Sequence, residues 1–197
     1  LNPDSYWGYY WKSANIGRWG EVKGIINSLF KAKPMRDLLH QAISIYPDHP
    51  DSYYVLGIMY RKVPGRPISF GNSDRSVSFA RKAVDAQRAE FEAGDANEIK
   101  LSFYMELARS LWDRDWSARK REKEARSKAE EFRKASDVLE KHYYYEGVID
   151  IPDTSDREEA VEMMSWVVSE FRSRPFLKNS HKADLEEALA DLEEWTE

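Results

Sequence analysis

The chain has 197 residues, 33% of them charged and 13% aromatic, with a formal net charge of −5. That composition excludes a disordered chain and suits one sizeable domain with its own core. There are no cysteines, which excludes disulfides and thiolate metal sites and leaves the redox compartment open. No apolar run approaches the roughly 18 residues that a membrane span needs.

The first helix is expected to open at Asn2-Pro3-Asp4 and run to about Ile16, with Tyr6, Tyr9, Tyr10 and Ser13 at helical spacing. A short inserted helix is read over residues 19–30. Pro34 should then restart the chain, and Met35, Leu38, Leu39, Ala42 and Ile43 make a second helix. Together these form a first unit over residues 1–49.

The second unit, residues 50–94, is the most legible. Pro50 and Asp51 are helix-start residues, because proline lacks an N–H that the first turn leaves unpaired and aspartate favours that end of the dipole. Tyr53, Leu56, Gly57 and Tyr60 follow at i, i+3, i+4 and i+7. A glycine inside a helix costs about 1 kcal/mol against alanine, which is tolerable where another helix crosses. Asn72 or Ser73 caps a second helix whose small face is Ser76, Phe79, Ala80, Ala83 and Val84, with Ala80 and Ala83 meeting Gly57. The connection, residues 63–72, holds Pro64, Pro67, Gly65 and Gly71. It is expected to be ordered, with Ile68 and Phe70, two apart, both turned toward the helices.

A third unit covers residues 95–146. Tyr104, Leu107, Ala108 and Leu111 repeat the spacing, Trp112 to Trp116 make the turn, and one long helix is expected from Ser117 to about His142. Within it Phe132 and Ala135 would supply the packing face. After a loop, residues 147–197 read as a closing pair of helices. The first carries a capping box at Ser155/Glu158 and the face Ala160, Met164, Val167, Val168 and Phe171. The second carries Leu185, Ala188, Leu189, Leu192 and Trp195. This end is acidic, with 5 Lys/Arg against 15 Asp/Glu over residues 146–197, which argues against nucleic acid as the main partner.

Tyr53, Leu56, Gly57, Tyr60, Ser76 and Ala83 resemble the tetratricopeptide repeat (TPR), with about seven residues inserted between its helices. Ala80 departs from that pattern, standing where an aromatic is usual. The resemblance implies an all-α, TPR-like right-handed solenoid of about four helical hairpins with enlarged repeats, the last pair capping the array. Asn2-Pro3 resembles the close of an earlier repeat, so further repeats are expected upstream. In this family the first helices of the repeats line a concave groove that holds a peptide or helix. Carried over by register, that groove is Trp7, Trp11 and Asn15, then Tyr54, Ile58 and Arg61, then Met105, Arg109 and Trp112. Aromatics beside arginines suit an extended segment or a carboxylate-bearing ligand. The set departs from the Lys/Asn clamp of chaperone-binding TPR domains.

Residues 5–90 further resemble bacterial TPR-like proteins of the cell envelope, and the enlarged repeats are similar to the T-component of TRAP transporters. These likenesses imply a protein or peptide partner, a transporter's solute-binding protein among them, and a periplasmic or envelope-anchored location; a cytoplasmic one stays open. Catalytic chemistry is not legible. The four histidines lie in no metal-ligand spacing, the glycine-rich connection lacks the Lys-Ser/Thr of a phosphate loop, and there is no GxSxG or cysteine nucleophile. The expectation is a non-enzymatic binding scaffold without cofactor or metal. The rival reading is direct binding of a small, partly apolar ligand in an aromatic pocket.

Overall fold

The computed structural model describes residues 4–23 and 25–197, with the side chains of 18–30 left aside. The expected helix start at Asn2-Pro3 and the apolar face expected over 19–30 lie outside the described residues. Nine α-helices are described: α1 (Tyr6–Lys23), α2 (Ile25–Ile45), α3 (Pro50–Lys62), α4 (Ser73–Glu92), α5 (Leu101–Arg114), α6 (Ala118–Lys134), α7 (Val138–His142), α8 (Asp156–Ser173) and α9 (Asn179–Thr196). A 3-10 turn, Tyr145–Val148, precedes α8. The protein is all-α, with no strand among the described residues.

Helices pair in two hairpins, α1 with α2 and α3 with α4, and in a third pair, α5 with α8, whose members are not consecutive in the chain, unlike the hairpins expected over 95–146 and 147–197. The α3/α4 crossing is close. A Cβ built on Gly57 would lie 3.5 Å from the Ala80 Cβ, and the Ser76 hydroxyl donates to the Gly57 carbonyl at 2.9 Å. The core runs continuously from Leu39 and Ile43 through Tyr53, Leu56, Phe79 and Leu111 to Met164 and Phe171.

Three expectations need correction. Pro34 does not restart the chain: it lies inside α2, on the solvent side, and α1 and α2 pack together as two long helices. An exposed proline gives up one intrahelical bond without burying an orphan group, so the interhelical packing carries the helix through. Residues 117–142 are not one helix. Ala135 leaves helical geometry with ψ 131°, and Asp137 caps α7 by accepting from the Leu139 and Glu140 amides. Nor is this segment the partner of α5. Its buried residues within α6 are Arg121 and Lys128, so it has no apolar face to offer the core. Helix α8, burying Ala160, Met164, Val167, Val168 and Phe171, takes that place.

Charge holds α6 instead. Arg81, Arg114, Arg121 and Lys128 meet Asp74, Glu146, Asp156 and Glu159 in a buried cluster joining α4, α5, α6, the 3-10 turn and α8. Arg114 donates to Asp156 at 2.7 and 2.8 Å, to Glu146 and to Asp74. Arg81 donates to Glu159 at 3.0 and 2.8 Å and to Glu146 at 2.9 Å. Burial opposes ionisation of Glu146, but the Arg114 and Arg81 guanidiniums hold its carboxyl well below the usual range. Four cations balance four carboxylates, so no net charge is desolvated. Trp116 covers the edge, with Arg114, Lys120 and Lys128 at 4.3, 4.3 and 4.9 Å from its ring centroid. Gly147 is required where the 3-10 turn meets α6: a Cβ there would lie 2.4 Å from the Ala129 nitrogen.

The connection over residues 63–72 is tied to its hairpin. The Gly71 amide donates to Pro64 O at 3.0 Å and the Asn72 amide to Tyr60 O at 2.8 Å. Phe70 packs edge-on against Tyr60 at 5.1 Å with Arg36 over its face at 4.7 Å. Ile68 differs from expectation: it is 71% exposed. Residues 65–69 form a turn, with the Ile68 and Ser69 amides both donating to Gly65 O, so the period of two that would align Ile68 with Phe70 does not hold.

Candidate partner-binding face

The nine groove residues divide into an open set and an occupied set. Trp7, Trp11 and Asn15 stand one turn apart along α1, since side chains at i, i+4 and i+8 share a face. Trp7 and Trp11 are 46% and 57% exposed, and their rings stack at 6.5 Å and 19°. With Lys12, Ile16 and Lys31 they line a cleft of about 640 Å³ between α1 and α2. Two large indoles left in water beside each other are unusual enough to require a purpose. Lys12, Ile16 and Lys31 were not singled out in the sequence; Lys12 and Ile16 follow Trp11 and Asn15 by one position, while Lys31 reaches the cleft only through the α1/α2 pairing.

Five of the other six already have partners within the chain. Tyr54 stacks on Phe103 at 4.4 Å and 5°, and burial pushes its phenol up. Ile58 is half-buried. Arg61 donates to both carboxylate oxygens of Glu106 at 2.7 and 2.8 Å. Met105 is 2% exposed and belongs to the core, so it is not a groove-lining residue here. Arg109 donates to Asp191 at 2.6 Å and to Glu187 at 3.0 Å. Trp112 stacks on Trp195 at 4.7 Å and 10°.

The last two contacts share one cause. Helix α9 lies against the Arg109/Trp112 face of α5, presenting Glu187, Asp191 and Trp195 at i, i+4 and i+8. An acidic helix with a tryptophan on its contact stripe therefore sits on an arginine and a tryptophan. The signal for it is in the sequence: EEALADLEEW carries two acids and an indole at helical spacing.

Beside the open cleft, a second aromatic group surrounds His49. The rings of Tyr6, Trp7 and Tyr10 meet its imidazole at 5.0, 5.1 and 5.0 Å, and Tyr46 lies 6.1 Å away. Burial lowers the His49 pKa, keeping it neutral. Among the described residues no group of three or more His, Asp or Glu side chains is placed to hold a metal ion, and no helix is long and apolar enough to cross a membrane. No family model, curated protein or solved structure matches the chain.

Proposed function

We propose that the protein is a TPR-like scaffold that binds an acidic, amphipathic segment of a partner protein on the Trp7/Trp11/Asn15 face of α1. The observation that carries this reading is the stacked, exposed indole pair lining an open cleft. Tryptophan dominates binding hot spots because it buries a large area at small entropic cost. The two successive hairpins, α1/α2 and α3/α4, and the close Gly57/Ala80 crossing support a right-handed solenoid, in which α1, α3 and α5 would line the concave side. Helix α9 supports the chemistry of the occupant. It covers Arg109 and Trp112 of α5 with acids and an indole, and in the solenoid reading the α1 face would continue that side. Lys12 at the cleft rim suits a carboxylate-bearing segment. The resemblance to envelope proteins makes a transporter's solute-binding protein the first candidate to test.

The experiment is crosslinking from a photoreactive residue in place of Asn15, followed by titration of the purified crosslinked partner. Two hot-spot tryptophans are worth roughly 2 kcal/mol or more each, so Trp7→Ala/Trp11→Ala should weaken binding on the order of a thousandfold. Unchanged affinity in the double variant, with helical circular dichroism retained, would remove α1 from the interface.

A further inference from the structure

A second cavity, about 460 Å³, opens on the other side of Trp7 and has a different chemistry. One wall is aromatic: Tyr6, Trp7, Tyr46 and His49. The other is acidic: Asp51, Glu90, Asp95 and Glu98, against the single ammonium of Lys100. Two of these acids are neutralised. Lys100 donates to both oxygens of Asp51 at 2.9 and 3.0 Å, and Lys178 donates to Glu98 at 2.8 Å. No described residue forms an ion pair with Glu90 or Asp95. Burial raises the Glu90 pKa, with the Lys100 ammonium acting in the opposite direction and Asp51 and Asp95 adding to the rise.

The aromatic wall holds a further unmet requirement. His49 is 2% exposed, and its Nδ1 lies 2.7 Å from the Ser52 hydroxyl. Its Nε2 is buried with no hydrogen-bond partner. In either tautomer of the neutral ring Nε2 is left without a partner, as an acceptor where Nδ1–H donates to Ser52 and as a donor where Nδ1 accepts from the Ser52 hydroxyl. A buried polar atom left so costs about 1–3 kcal/mol. An aromatic wall and two carboxylates without an ion pair share one complement, a cation that carries both N–H donors and an apolar body, and with the proton on Nδ1 the His49 Nε2 would accept from it as well.

We propose that this cavity binds a small primary-ammonium ligand, a diamine or short polyamine, between the Tyr6/Tyr46/His49 wall and the Glu90 and Asp95 carboxylates. The alkyl chain lies on the aromatic wall, and the ammonium groups donate to the two acids. With the proton on Nδ1, a ligand donor brought to His49 Nε2 would complete its hydrogen bonding. A quaternary ammonium would answer the rings but has no N–H for the histidine. The site is built from α1, the α2–α3 turn, α4 and the α4–α5 connection, so its ligand would tie the first hairpin to the second. The inference is independent of partner binding in the α1 cleft, and its test uses no variant of that cleft.

The test is calorimetric titration of the whole chain with diaminobutane, butanediol and tetramethylammonium at about 100 mM salt, where exposed pairs are largely screened. Diaminobutane should bind at one saturable site and butanediol should not bind. Glu90→Gln and Asp95→Asn remove no ion pair of the folded chain, so both should fold. Each should weaken diaminobutane about tenfold, as expected for one charge-assisted hydrogen bond. His49→Phe keeps the ring packing and should weaken diaminobutane while leaving any tetramethylammonium binding unchanged. Absence of diaminobutane binding, equal binding of butanediol, or equal affinity in Glu90→Gln would each overturn the proposal. Tetramethylammonium binding as tightly as diaminobutane would overturn it as well, by showing that N–H donors are not read.

Discussion

Replacing Arg114 with methionine tests whether charge holds α6 to the hairpins. The side chain of Arg114 is fully buried and donates to three carboxylates. Methionine preserves much of the volume and removes the cation, leaving four carboxylates against three cations. Breaking a buried pair from one side costs about 3–5 kcal/mol. The lower end applies here, because Glu146 keeps Arg81 and Lys128, and Asp156 keeps the Trp116 amide at 2.9 Å. For a chain of this size 1 kcal/mol moves the unfolding midpoint about 2–4 °C, so thermal circular dichroism at neutral pH should show a fall of about 6–12 °C. The pH dependence has a definite sign. The Glu146 carboxyl is depressed in the folded state, so its contribution is full above the ordinary carboxylate range and is lost only as pH falls through its low folded value. Arg114→Met shrinks that depression, so the acid limb of stability should move to higher pH. In the double variant Arg114→Met/Asp156→Asn the charge is rebalanced, and the loss should be smaller than the sum of the single losses. A midpoint within about 1 °C of the parent would refute the reasoning, since it would mean the cluster contributes no more than exposed pairs do.

Gly57→Ala should be tolerated, because the added Cβ meets Ala80 at an ordinary 3.5 Å, whereas Gly57→Leu should cost about 1–3 kcal/mol or more by overpacking; equal midpoints for the two variants would mean that the crossing is not tight. Phe70→Ala should cost up to about 1.5–3 kcal/mol and expose residues 63–72 to a protease that cuts beside aromatic residues, and an unchanged midpoint and cleavage rate would show that the ring does not anchor the connection. Arg109→Ala should loosen α9 alone: limited proteolysis near the C-terminal end should accelerate while global stability falls by about 1–2 kcal/mol or less, and unaltered cleavage would show that the Glu187 and Asp191 contacts are not what seat the helix.

Local chemistry was legible wherever a short stretch decides its own structure. Pro50-Asp51 opens α3, Asn72 caps α4 by accepting from the Arg75 amide, and Ser155/Glu158 close a capping box on α8, each within four residues. The all-α class and the Gly57/Ala80 face follow from periodicity alone. That Trp7, Trp11 and Asn15 share one face follows from i, i+4 and i+8 spacing on any helix, whereas their reading as a groove came from the repeat resemblance.

Partner choice between distant segments was decided by the tertiary structure. Chain order suggested that α6 follows α5 into a hairpin, but α6 has an ionic face and α8 an apolar one, and only burial against α5 selects between them. The same holds for Arg61, Arg109 and Trp112, which read as groove residues until Glu106 and α9 are brought against them. It holds for His49 too, a solitary histidine in the sequence, whose surroundings come from α1 and the α2–α3 turn. Periodicity states which residues share a face. Which face meets which depends on the balance of desolvation and contact among segments tens of residues apart, and no local window contains that balance.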